Sequence, residues 1–368
     1  MYINFVVGRN GSGKSRHLQN VAHHSRRNTL IICNTVHDRY RARSAVKKFS
    51  VRNPRNSPSN IIKSAFTELA RESTYRLNAI AKVLEYCNYK PVIMFTAVLH
   101  RDADDKLSEL HHIALRGKRD IDINPNVMES ISESKDYGHI DFEVDLTQSY
   151  IEPRTQEMLL AILEGERQLK KLKLLKSIDV YVQHTQGDRF LRIDQASSGE
   201  LTLIASQVFI LTNARNGSLI LIDEPENSLH PQWQKDYVNK LGDLIGRYDM
   251  EVHIATHSPL IVSGVRNSED RISFHYAETG FSTLYDHIVP SAEESLWEQF
   301  ETITPESRYV SDHVVDLLED LGNKKRSFDE VTQALHSMER ASYDERQGKV
   351  LRAAKKLAVE IHQEAQDV

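Results

Sequence analysis

Gly8-Arg9-Asn10-Gly11-Ser12-Gly13-Lys14-Ser15 is the stretch on which the reading of this chain turns. Its spacing, Gly-x4-Gly-Lys-Ser, is that of a phosphate-binding loop. The flanks suit it: Tyr2 to Val7 is an apolar run that predicts a buried strand, Gly8 breaks it, and a polar helix with Leu18 and Val21 inward follows Ser15. Glycines 8, 11 and 13 let the loop, with Asn10 and Ser12, turn backbone N–H groups toward an anion. The helix start adds partial positive charge. Lys14 is placed to reach the β- and γ-phosphates of a nucleoside triphosphate, the Ser15 hydroxyl to ligate magnesium, and Arg16 to add charge beside them. A Gly-rich turn matches such a pattern by chance far less readily between a strand and a helix.

About two hundred residues on, Leu219-Ile220-Leu221-Ile222-Asp223-Glu224-Pro225 is an apolar run ending in two carboxylates. A run this apolar belongs in a central, parallel strand. Asp223 is the candidate magnesium ligand and Glu224 the candidate base that polarises the attacking water. An ordinary acidic turn after a strand is the plainer alternative. A second apolar run, Val252-His253-Ile254-Ala255-Thr256, leads into His257. On a strand parallel to the first, His257 could touch the γ-phosphate. Between the two halves lies Ala196-Ser197-Ser198-Gly199-Glu200-Leu201. A Ser-Ser-Gly at a helix start is a natural phosphate clamp, though such triplets are also common caps.

The order of these motifs resembles the ABC-type ATPase head. On that resemblance Ser197, Ser198, Gly199 and Glu200 match the signature, Asp223 and Glu224 match Walker B, and His257 matches the switch histidine. It implies ATP with Mg2+, and a head-to-head dimer in which each signature faces the partner's γ-phosphate. Leu221 to Gln234 and Ile254 to Val262 are similar to the non-transporter branch: RecF and SMC relatives, the OLD family, and above all the ATPases of Septu and retron antiphage systems (PtuA-like). Asn34 to Tyr40 also resembles that last group. Three departures stand out. Ala196, Ser198 and Glu200 replace the usual signature residues. Asn34 stands where a Q-loop glutamine would. The aromatic that stacks on adenine in many relatives has no clear counterpart.

The 368 residues carry a net charge of −5, unevenly spread. Residues 1–63 hold thirteen Lys or Arg and one acid, Asp38. Arg26, Arg27, Arg39, Arg41, Arg43, Lys47, Lys48, Arg52 and Arg55 could bind a nucleic-acid backbone or pair with acids of the same chain. No apolar run is long enough to span a bilayer, and no leader is evident. Two cysteines, Cys33 and Cys87, are too few for a disulfide framework and point to a reducing cytoplasm.

The expected fold is α/β: an ABC-type P-loop NTPase head with an inserted helical lobe and an all-helical C-terminal tail. Residues 1–100 form the first part of the head, 101–176 the lobe, 177–290 the second part, and 291–368 a partner-docking tail. Residues 101–150 read as helices and loops, Glu157 to Lys176 as one helix, and Ile178 to Ile193 as a hairpin into the signature. No strand-and-acid pattern of a Toprim nuclease follows the head. The function this implies is an ATP-hydrolysing regulatory subunit of a prokaryotic antiphage complex, with an HNH nuclease as partner and, in a retron, a reverse transcriptase with its DNA–RNA hybrid. The alternatives are a RecF-like ATPase that senses DNA structure and a nucleotide-gated scaffold with little hydrolysis.

Overall fold

A computed structural model describes residues 1–35, 40, 46–72, 74–115, 124–134, 137–148, 151–246, 248–265, 271–277, 282–285, 293–294, 297, 307–341 and 345–364. Among them, strands β1 (Tyr2–Val7), β2 (Thr29–Cys33), β3 (Val46–Ser50), β8 (Leu219–Asp223), β9 (Glu251–Thr256), β10 (Arg271–Tyr276) and β11 (Ser282–Tyr285) form one sheet in the order β11-β10-β1-β9-β8-β2-β3. Every pairing is parallel except β10 with β11. The central strands are apolar because both faces are covered: all five residues of β2 and of β8 are buried. Helix α1 (Lys14–His24) covers one face through Leu18, and helices α2 (Pro58–Glu72) and α7 (Ser198–Asn213) pack toward the other.

Register does the positioning. β9 lies between β1 and β8, with Val7 opposite Thr256 and Asp223 opposite Ala255. Gly8, Glu224 and His257 therefore emerge together at the C-terminal edge, where open parallel sheets bind ligands.

A second, antiparallel sheet has the order β5-β4-β6-β7, formed by β4 (Tyr89–Leu99), β5 (His139–Asp145), β6 (Leu175–His184) and β7 (Phe190–Arg192). It packs on α2, on α3 (Thr74–Tyr86) and on α6 (Pro153–Lys171), with Phe66 and Phe95 at 5.2 Å. Two local expectations change here. The 101–150 stretch holds α4 (Ala103–Leu115) and α5 (Pro125–Glu133), but also β5, whose Ile140, Phe142 and Val144 point inward in strict alternation. The helix read as Glu157 to Lys176 stops at Lys171. Lys173 takes a left-handed turn (φ 57) and Leu174 and Leu175 are buried at the start of β6.

Helix α8 (Pro231–Ile245), between β8 and β9, and α9 (Pro259–Ser263), after β9, pack on each other. The C-terminal helices α10 (Arg308–Gly322), α11 (Phe328–Ala341) and α12 (Glu345–Glu364) build a separate apolar core around Leu317, Val331, Leu335, Met338 and Leu351. Both cysteines are buried thiols outside any disulfide. No helix among the described residues is long and apolar enough to cross a membrane.

Candidate active site

The loop after β1 turns on glycines that need the left-handed region. Gly11 and Gly13 have φ 86 and 103, and at Gly8 (φ 147) a Cβ would lie 2.6 Å from Ser12 Oγ. Lys14 is buried and folds back over the loop. Its Nζ donates to the carbonyls of Gly8 (2.9 Å) and Arg9 (3.2 Å) and lies 3.5 Å from Glu224 Oε1. Ser15 Oγ donates to Asp223 Oδ1 at 3.1 Å, which joins the two halves of the site across 208 residues. Asp223 is buried, and its Oδ2 makes no hydrogen bond. Burial and the neighbouring Glu224 charge raise its pKa. A hydroxyl and a carboxylate side by side, with a buried oxygen to spare, fit a hard cation such as Mg2+.

Glu224 sits in the left-handed region (φ 53), where a non-glycine residue is strained. Its N–H donates to Ala255 O at 2.8 Å, so β9 holds it there. Its Oε2 meets His257 Nδ1 in a short contact. Burial works against the charged form, but His257 and Lys14 hold the Glu224 carboxyl below its ordinary value. The same hydrogen bond raises the pKa of His257. Glu226, two residues on, is buried. Its Oε1 accepts from Thr256 Oγ1 and from the His257 N–H, both at 2.7 Å, and lies 3.1 Å from His257 Nδ1. Burial and then the Glu224 charge raise its pKa. Glu224, Glu226 and His257 bring three ligand atoms within 4.8 Å, yet the Lys14 ammonium already supplies a cation to this group. It reads as a charge cluster that fixes the histidine.

Asn10, Gly11, Ser12, Gly13, Lys14, Ser15, Arg16, Glu224 and His257 line one open cleft of about 920 Å³. Gly8 and Asp223 do not line it but bond to Lys14 and Ser15, which do. Ser197, Ser198, Gly199 and Glu200 do not line it. Ser197 and Glu200 bond each other instead: the Glu200 N–H donates to Ser197 Oγ (3.3 Å) and the Ser197 N–H to Glu200 Oε2 (2.7 Å), a reciprocal cap on α7. Ser197 and Ser198 are exposed, while Gly199 is pressed against the Ser228 carbonyl. Asn34 is buried at the end of β2; its N–H donates to Asp223 O at 3.2 Å, and its neighbour Thr35 reaches the cleft.

Four residues of this neighbourhood are not singled out by the motifs, though Tyr40 and Glu226 lie within the 34–40 and 221–234 segments. Tyr40 stands beside Asp223, and burial with that charge pushes its phenol pKa up. Glu226 is hidden in an ordinary-looking acidic turn. His17 and His275 come from α1 and β10, and their rings stack at 3.8 Å on the rim of the cleft. Burial, then His275 and His253, lower His17 to about 4, so that ring is neutral at pH 7. In the basic stretch, Arg27 pairs with Glu251 (2.5 Å), Lys47 with Asn213 (2.7 Å), and Lys48 with the Tyr40 carbonyl (2.9 Å). Arg39, Arg41 and Arg43 lie outside the described residues.

A parallel α/β sheet, a phosphate loop at the end of one strand, and the Asp223–Glu224 pair two strands away define a P-loop NTPase. The chain matches the family described as "AAA domain, putative AbiEii toxin, Type IV TA system" over residues 36–263, and it belongs to that family. It is similar to the "Retron Vc95 probable ATPase" of Vibrio cholerae serotype O1 biovar El Tor, at 34% identity over 93 residues. That match covers 22% of this chain and only 18% of that relative. Among solved structures it is similar to the Smc head domain of Pyrococcus furiosus, bound in that crystal to the C-terminal domain of ScpA. That likeness is 15% identical, covers 64% of this chain and 61% of the other, and has a TM-score of 0.22, too distant to carry function.

Proposed function

We propose that this chain binds and hydrolyses ATP as the regulatory subunit of a prokaryotic antiphage complex of the retron or Septu kind. The observation that carries the ATPase reading is the convergence of Lys14, the Ser15–Asp223 pair and the Glu224–His257 pair on one cleft. The loop N–H groups bind the triphosphate, and Lys14 leaves the Gly8 and Arg9 carbonyls for the β- and γ-phosphates. Ser15 and Asp223 would hold Mg2+, which when bound neutralises charge on the phosphate oxygens. Lys14's move frees one oxygen of Glu224. That carboxyl, still held ionised by His257, takes the proton of the attacking water. His257 orients Glu224 and lies within reach of the departing γ-phosphate, while Glu226 fixes His257 from behind.

The exposed Ser197–Ser198 cap, outside its own cleft, supports an ABC-type arrangement in which it completes the site of a second copy. ATP would then drive a head-to-head dimer. The retron setting rests on the name of the Vibrio relative. The HNH nuclease partner, and a reverse transcriptase with its DNA–RNA hybrid, rest on the resemblance of the 221–234 and 254–262 segments.

Expression with the flanking genes in the native host, followed by tagged purification with and without nuclease treatment, tests the reading. A stoichiometric HNH nuclease supports the effector role, and a co-purifying DNA–RNA hybrid makes it a retron. A homodimer alone, with DNA-stimulated ATPase, would contradict it in favour of a RecF-like sensor.

A further inference from the structure

The γ-phosphate end of the cleft is set by Glu224 and His257, which lie on the β8 and β9 side of β1. β10 borders β1 on the opposite side, with His275 opposite Val6. A nucleoside triphosphate held by Lys14 and Ser15 with its γ-phosphate at Glu224 must carry its base away from β9. The rim it meets is the end of β10. This rim is tied to the phosphate loop: the Ala277 N–H donates to Val7 O at 3.0 Å, and Ala277 Cβ would lie 3.6 Å from a Cβ at Gly8. His17 faces the same rim from α1, two residues past Ser15. The His17 and His275 rings stack with centroids 3.8 Å apart and planes 28° apart, and both line the cleft.

We propose that the stacked His17–His275 pair is the platform on which the base of the bound nucleoside triphosphate lies. The proposal rests on the nucleotide-binding reading above and adds to it the groups that hold the base. Each ring braces the other, so the platform is ordered before the ligand arrives and costs little to organise. Stacking on a π-face holds any base and favours the larger purine ring.

Isothermal titration with ATP and with tripolyphosphate, on the wild type and on His17→Ala, His275→Ala and His17→Phe, tests it. The wild type should bind ATP more tightly than tripolyphosphate. Each alanine variant should lose roughly 5- to 150-fold in ATP affinity, the span of one base–aromatic stack, with tripolyphosphate binding unchanged. His17→Phe should keep most of the ATP affinity. Full ATP affinity in both alanine variants would overturn the platform and leave the nucleotide site standing. Equal losses for ATP and tripolyphosphate would make the pair a prop of the phosphate loop, which also overturns it. A wild type that binds neither ligand would overturn this proposal together with the nucleotide-binding reading.

Discussion

Glu224 is the proposed base of the site. Its backbone is held at φ 53, and such a conformation costs a non-glycine residue of order 1–3 kcal/mol. What the strain achieves is direction: the carboxylate turns back to meet Lys14 and His257 instead of continuing the strand. Glu224→Gln keeps the shape and removes the base. Its ATP turnover should fall by about 10²–10⁴-fold with nucleotide binding retained, measured by phosphate release and by titration. His257 gives a second test. Its pKa lies above the ordinary 6.5, first because of the Glu224 hydrogen bond. A histidine raised on folding stabilises the fold while protonated. That contribution is complete below pH 6.5 and is lost as pH rises through the higher folded value. An NMR titration of the His257 ring should show a midpoint above 6.5 that drops in Glu224→Gln. An unmoved midpoint would break the pair as described.

At the scale of elements, the turn after Glu224 is held by how α7 meets it. A Cβ at Gly199 would overlap the Ser228 carbonyl, and Ser228 itself sits in the left-handed region (φ 68). Gly199→Ala must push α7 and this turn apart, at about 1–3 kcal/mol of stability. Chemical denaturation should show that loss, and ATP turnover should fall with it. How far such elements can be read from sequence follows from their surroundings. β8 is buried along its whole length and β1 and β9 along most of theirs, so their residues read as mainly apolar runs that announce a parallel sheet. β5 has one wet face, and its Asp141, Glu143 and Asp145 disguise the inward Ile140, Phe142 and Val144. The end of α6 was hidden for another reason: Lys170 to Lys176 keeps an amphipathic look, while the chain turns at Lys173. The site divides likewise. Lys14, Ser15, Asp223, Glu224 and His257 are legible because local spacing marks them. Tyr40 and Glu226 sit inside the quoted 34–40 and 221–234 segments without a mark of their own, and they, like His17 and His275, become functional candidates through strand register and packing.

At the scale of the whole molecule, the C-terminal helices have their own core. Leu351, fully buried there, should cost about 2–5 kcal/mol when cut to alanine. The loss should appear as melting of helical signal from the tail, with ATP affinity of the head unchanged; a weakened head would mean that the two cores fold as one. The exposed Ser197–Ser198 cap supports a site completed by a second copy, so the Glu224→Gln protein should shift from monomer to dimer by light scattering when ATP and Mg2+ are added. ATP hydrolysis is proposed for the cleft between the phosphate loop and Asp223–Glu224. The most direct measurement is single-turnover phosphate release by the purified protein with ATP and Mg2+, beside Glu224→Gln at matched nucleotide occupancy. The wild type should release phosphate, and the variant should stay loaded and nearly silent. Equal release by the two proteins, or none by a fully loaded wild type, would contradict it.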